Sequence, residues 1–198
     1  MTAFFFVLVA VAFGCVATEH FIPPLVFLEN ARVVLLPLVL FYGALALPIG
    51  RMLWLAFCCG LMRDCLTLQL IDVEIGANVS QAPEIGIGWS ILLYAVMGAV
   101  MSGFRPMFQK GRWEVHCLMS GLCTGLIVLA EFLMISVRRA ALFDAPMVFN
   151  ASIWWRVGGA GLAAFVIAPV IFWVLNSLAA LIGYNPRAAV PVEEKPEP

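Results

Sequence analysis

The sequence predicts an all-α membrane protein, a bundle of about six transmembrane helices, on three observations. The first is composition. Of 198 residues, 64% are hydrophobic and only 12% are charged, and mean hydropathy is +1.03. Soluble domains run at about 45–50% apolar and about 25% charged. A soluble fold of this size would have too few charges to cover so much apolar surface, so lipid is the natural solvent. The second is length: the apolar residues fall into runs near the ~20 residues that cross a hydrocarbon core of ~30 Å. The third is punctuation, because proline, glycine and charge collect between the runs. A net charge of −1 gives no basic footprint and excludes a nucleic-acid partner.

The first run, 2–17, has no Lys or Arg before it and no small-x-small cleavage site before Glu19, so a retained helix is expected rather than a signal peptide. The second, 33–47, has Pro37 near its start and Pro48 just past its end. The third, 52–70, contains the stretch FCCGLMRDCLTLQL. Residues 71–88, with Pro83, several glycines and the acids Asp72, Glu74 and Glu84, read as a loop. The fourth and fifth runs are 89–104 and 115–137. The sixth, 157–182, is introduced by Ile153-Trp154-Trp155-Arg156, an aromatic and basic interface pattern, and Pro169 inside it predicts a kink. One domain, 1–184, is expected, followed by a polar, proline-rich disordered tail over 185–198.

Six spans place both termini on one side. With the N-terminus inside, Arg51, Arg105, Lys110, Arg112, Arg187 and Lys195 are cytoplasmic, and Arg32, Arg138, Arg139 and Arg156 are outside. Six basic residues against four favours cytoplasmic termini. Helix packing is expected at small residues, which let backbones approach where lipid supplies no hydrophobic drive. The candidates are Ala95, Ala99 and Gly103 on the fourth span, Gly121 and Gly125 on the fifth, and GGAGLAA at 158–164 on the sixth.

Arg63 and Asp64 sit deep in the third run. Counted from Met52, Asp64 is roughly 18 Å into the helix. A charge at that depth costs about 2.5–3.5 kcal/mol on insertion scales and must face protein or water. Adjacent residues point about 100° apart, so each needs its own partner. Glu131 is the other deep carboxylate, at a depth similar to that of Arg63, and an Arg63–Glu131 pair between the third and fifth helices is expected. These charges mark a binding pocket, a proton path or a partner contact, or else a pair that fixes helix register. They do not make an enzyme, because no second carboxylate, nucleophile–base pair or phosphate loop accompanies them. His20 and His116 fall at span ends and read as interface residues. The cysteines Cys15, Cys58, Cys59, Cys65, Cys117 and Cys123 form no C-x-x-C and read as small buried thiols, so neither a metal nor a cofactor is expected.

The segment LLPLVLFYGALALPIGRMLWLAFCCGLMRDCLTL, 35–68, resembles the MreD family of rod-shape-determining membrane proteins. That family shows a proline-led span, a short turn, and a helix containing G-l-l-x-D, matched here by Pro37, FYGAL at 41–45, and Gly60-Leu61-Met62-Arg63-Asp64. Gly88 and SGFRPMFQKGR at 102–112 fill the family's later glycine and basic–aromatic turn. Arg63 stands where the family has an apolar residue, Gly43 replaces a common tryptophan, and the loop after the third span is longer and more acidic. The resemblance implies a fold similar to the substrate-binding subunit of energy-coupling factor transporters. It implies a non-enzymatic inner-membrane role in cell elongation, binding an MreC-like single-span protein and working with MreB, RodZ and cell-wall synthases. Asp64 would be the family's intramembrane acid, structural or partner-binding. The alternative function is the membrane subunit of a small-solute, vitamin-type importer, using Asp72, Glu74 and Glu84 with Asp64 or Glu131.

Overall fold

The computed structural model describes residues 2–23, 33–66, 70–75, 78–83, 88–105, 113–143 and 151–184. They form six helices and one hairpin: α1 Thr2–Phe21, α2 Leu36–Ala46, α3 Ile49–Leu66, β1 Leu70–Ile75, β2 Asn78–Pro83, α4 Trp89–Gly103, α5 Trp113–Phe143 and α6 Ala151–Leu181. The chain is a helical membrane protein. Three helices, α1, α5 and α6, are long and apolar enough to cross a membrane, and α2 and α4 are shorter apolar helices.

The bundle is built around α2. Leu36, Pro37, Leu38, Val39, Leu40, Phe41, Gly43, Ala44 and Ala46 are all buried, so this helix is enclosed on every side. A helix apolar all round has no face to offer water, and α1, α3, α4, α5 and α6 all pack against it. Its first turn needs no N–H at Pro37, where proline fits without losing a bond. On α1 the buried stripe is Phe4, Leu8, Ala12 and Cys15, spaced for one helical face. The periphery is the reverse of a soluble surface. Phe6, Trp54, Val166, Trp173 and Leu181 all face outward, as side chains solvated by acyl chains do.

Three expectations are corrected. The acidic segment after α3 is not simply a loop, since β1 and β2 pair antiparallel with Asp72 opposite Gln81 and Glu74 opposite Val79. The alternation Ile71-Asp72-Val73-Glu74-Ile75 carries a strand period that the acids and glycines obscured. Accordingly α3 ends at Leu66 and Leu70 begins a strand. Finally, α5 and α6 overrun their apolar cores, each reaching 31 residues. Pro169 lies inside α6, which continues through it. The tail 185–198 lies outside the described residues, as do Lys110 and Arg112.

The small residues divide. Gly121 meets α6 directly: a Cβ there would lie 2.9 Å from Gly161 O and 3.1 Å from Phe165 Cβ. Gly125 is looser, with Val157 O 3.7 Å from its would-be Cβ. On α4 the buried stripe is Ser90, Tyr94, Gly98 and Met101. It runs beside the expected Ala95, Ala99 and Gly103: Ala95 is half-buried, and Ala99 and Gly103 are exposed. The helix is rotated toward α3 and α2, where Gly98 receives the Met52 sulfur.

Candidate functional site

The short helices explain the charged residues that interrupt the apolar runs. At 1.5 Å per residue, the 11 residues of α2 span about 16 Å and the 15 of α4 about 22 Å, both less than a ~30 Å hydrocarbon core. A helix begins with N–H groups that have no partner in its own ladder. Where lipid surrounds the bundle no water reaches them, and each unsatisfied group costs several kcal/mol. Side chains from neighbouring helices must supply the acceptors.

Glu19, near the end of α1, does this for α2. Its Oε1 accepts from Leu35 N at 2.5 Å and Leu36 N at 2.8 Å. Asp64, near the end of α3, does it for α4, with Oδ2 accepting from Gly88 N at 2.6 Å. Gly88 has φ 95°, a left-handed conformation suited to glycine, and stands at the N-cap position with no side chain of its own to cap the helix. Both carboxylates also sit at the positive end of a helix dipole, worth typically 0.3–1 kcal/mol each and up to ~2 kcal/mol when partly buried.

The motif Gly60-Leu61-Met62-Arg63-Asp64 is thereby resolved into two faces. Gly60 and Asp64 are four apart and share the face toward α4. A Cβ on Gly60 would lie 2.6 Å from Ile91 N and 2.9 Å from the Ser90 carbonyl carbon, so only glycine admits α4 this closely. The approach it allows brings Gly88 N within reach of Asp64. Arg63 points elsewhere. Its Nη1 donates to Glu19 Oε2 at 3.1 Å and its Nη2 to Glu131 Oε2 at 3.2 Å. One guanidinium thus ties α1, α3 and α5. The side chains of Arg63, Glu19 and Glu131 are 17%, 7% and 14% exposed.

The sequence expectation therefore meets the structure at Arg63 and Glu131, which come together, and at Asp64, which has a partner of its own. What it missed is Glu19, read only as the charge ending the first span, and Tyr94, wholly buried on α4 within electrostatic reach of Arg63, Glu131 and Glu19. Of the importer's acids, Asp72 and Glu74 stand on β1, while Glu84 lies outside the described residues. All six cysteines are free: four are buried, Cys58 is intermediate and Cys65 is exposed. Among the described residues no group of three His, Cys, Asp or Glu side chains could hold a metal ion.

The opposite end of α2 is capped in complementary fashion. Arg105, just beyond α4, donates from Nε to Ala44 O at 2.7 Å and from Nη2 to Leu47 O. Tyr184, just beyond α6, donates to Ala46 O at 2.7 Å. A cation at a helix C-terminus meets the negative end of the dipole. Burial pushes the Tyr184 phenol above its ordinary value, against the opposing pull of Arg51 and Arg105. Glu19 at one end and a guanidinium and a phenol at the other therefore complete the buried central helix. No protein-family model, curated protein or solved structure matches the chain.

Proposed function

We propose that the protein is a non-enzymatic scaffold of the MreD type in a bacterial inner membrane, with both termini cytoplasmic. It binds an MreC-like single-span protein and helps couple MreB filaments to peptidoglycan synthesis. The observation that carries this reading is the junction built by Gly60 and Asp64. The sharpest motif of the resemblance serves architecture, admitting and capping α4. Glu19 and Arg63 likewise hold helices together.

The Gly121 and Gly125 face packs on α6 and is not open to a partner. The partner's span docks instead on the outward side of α4, along Leu92, Val96, Ala99, Val100 and Gly103, which are all exposed. Small residues there allow close backbone approach. Co-expression of the full chain with an MreC-like protein tests this. Ala99→Leu with Gly103→Leu is expected to abolish co-purification while leaving the bundle folded, since a Cβ at Gly103 meets nothing within 4 Å. Unchanged recovery from the double variant would rule out this face. Failure of the unaltered chain to recover the partner would rule out the scaffold reading.

A further inference from the structure

The end of the bundle where α2 finishes carries positive charge without matching acid. Arg105 spends its hydrogen bonds on the neutral carbonyls of Ala44 and Leu47. A second guanidinium, Arg51, stands in the first turn of α3, four residues past Leu47. The Tyr184 phenol lies within electrostatic reach of both, which puts them at the same end. Among the described residues neither guanidinium has an ion pair with a carboxylate, Glu114 at the start of α5 included. Arg51 Nη1 is also buried and has no hydrogen-bond partner among the described residues. A buried donor on a charged group is among the costliest to leave unmet, so an anion is the occupant it calls for.

The register of α3 says what kind of anion. Three residues after Arg51 comes the exposed Trp54, and four after it the fully buried Leu55. Residues three and four apart are neighbours on a helix, so Arg51 stands where the outward face meets the bundle. The outward face is apolar and begins at the same turn: Ile49, Leu53, Trp54, Phe57 and Leu61 are all exposed. From Ile49 to Leu61 it runs about 18 Å, close to the ~15 Å depth of one leaflet. Beside Arg51, Gly50 is exposed and a Cβ there would meet nothing within 4 Å. The positive end of the α3 dipole lies at this turn too.

We propose that this turn binds one anionic phospholipid, with a headgroup phosphate oxygen accepting a hydrogen bond from Arg51 Nη1 and an acyl chain lying along Leu53, Trp54 and Phe57. A guanidinium–phosphate bond is charge-assisted and stronger than a bond between neutral groups. Arg105 supplies a second positive charge at the same end, which favours a headgroup of net negative charge over a zwitterionic one. A free phosphate would satisfy Arg51 but leave the stripe below it unused.

The inference stands apart from the scaffold reading and holds for either orientation in the membrane. Native mass spectrometry of the full chain in detergent tests it, with phosphatidylglycerol and phosphatidylcholine of the same acyl chains as probes. One phosphatidylglycerol is expected to bind about tenfold more tightly than phosphatidylcholine. Arg51→Gln is expected to lose that preference, and Arg156→Gln, at the opposite end of α6, to keep it. Equal binding of the two lipids, or an undiminished preference in Arg51→Gln, would overturn the proposal. So would displacement of the lipid by an equal concentration of inorganic phosphate, which would show a site for a free anion. A preference that emerges only when Glu193, Glu194 and Glu197 are all changed to Gln would assign Arg51 to the chain's own acidic tail instead. Should Arg51→Gln fail to fold, Gly50→Glu places a carboxylate in the open space beside the headgroup, and a preference it leaves intact is sufficient to refute the site.

Discussion

Arg63 pairs with two acids among the described residues, and that number sets what its loss does. Replacing one member of a buried charge pair typically costs ~3–5 kcal/mol, because the partner is left uncompensated. Arg63→Gln is expected to destabilise the bundle on that scale, leaving Glu19 and Glu131 facing each other unscreened. Adding Glu131→Gln restores part of the loss, and adding Glu19→Gln restores most of the remainder. Thermal unfolding in detergent measures the series, and a single-step, complete rescue by Glu131→Gln would show that Glu19 contributes nothing. The Arg63–Glu131 contact was legible in the sequence because both residues interrupt apolar runs at matching depth. Glu19 was not legible as a partner. It ends a run that is apolar all round, so nothing in the run marks which face is buried, and only the folded bundle brings residue 19 beside residue 63.

At the scale of the element, the helix seams depend on individual glycines to different degrees. Gly121 has backbone and Phe165 within 3.1 Å of a would-be Cβ, whereas Gly125 has only ordinary contact. Gly121→Ala is expected to cost ~1–3 kcal/mol by overpacking the α5–α6 seam, and Gly125→Ala close to nothing. Equal effects in equilibrium unfolding would contradict the seam as described. Spacing of four residues located this pair correctly on a packing face, but it could not say that the occupant is α6. On α4 the same rule marked a stripe beside the one that faces the bundle. Ala95, Ala99 and Gly103 differ from Ser90, Tyr94 and Gly98 by a rotation of roughly one residue, or about 100°. That rotation is fixed by α3, through Gly60 and Asp64, and no local pattern on α4 reports it. The hairpin was missed for a related reason, since two six-residue strands carry only a few alternations amid residues that also suit a loop.

For the whole molecule, the apolar periphery makes a direct claim about environment. Trp173 is 72% exposed and Trp54 65%, whereas Trp89 is only partly so and has its indole N–H buried. In vesicles containing brominated lipid, single-tryptophan variants retaining Trp173 or Trp54 are expected to be strongly quenched, and one retaining Trp89 weakly. Equal quenching of all three would place the outward faces somewhere other than in acyl chains. The class of fold was readable from composition and run length, because these are properties of the solvent the chain must satisfy. Which helices are short, and therefore need caps from their neighbours, was less visible. The second apolar run reads as 33–47, but the helix occupies only Leu36–Ala46.

The cluster at Glu19, Arg63 and Glu131 draws its members from three well-separated points along the chain, and ribosomes make chains in one direction. When α1 and α2 have emerged, Glu19 can already cap the new helix, yet its guanidinium partner is missing until residue 63 has been added. Among these three residues Glu19 and Arg63 then form one acid–base pair, and the arrival of α5 brings a second acid to the same guanidinium. The order of synthesis is thus also an order of pairing, and the last acid to enter, Glu131, keeps one buried oxygen without a hydrogen-bond partner among the described residues.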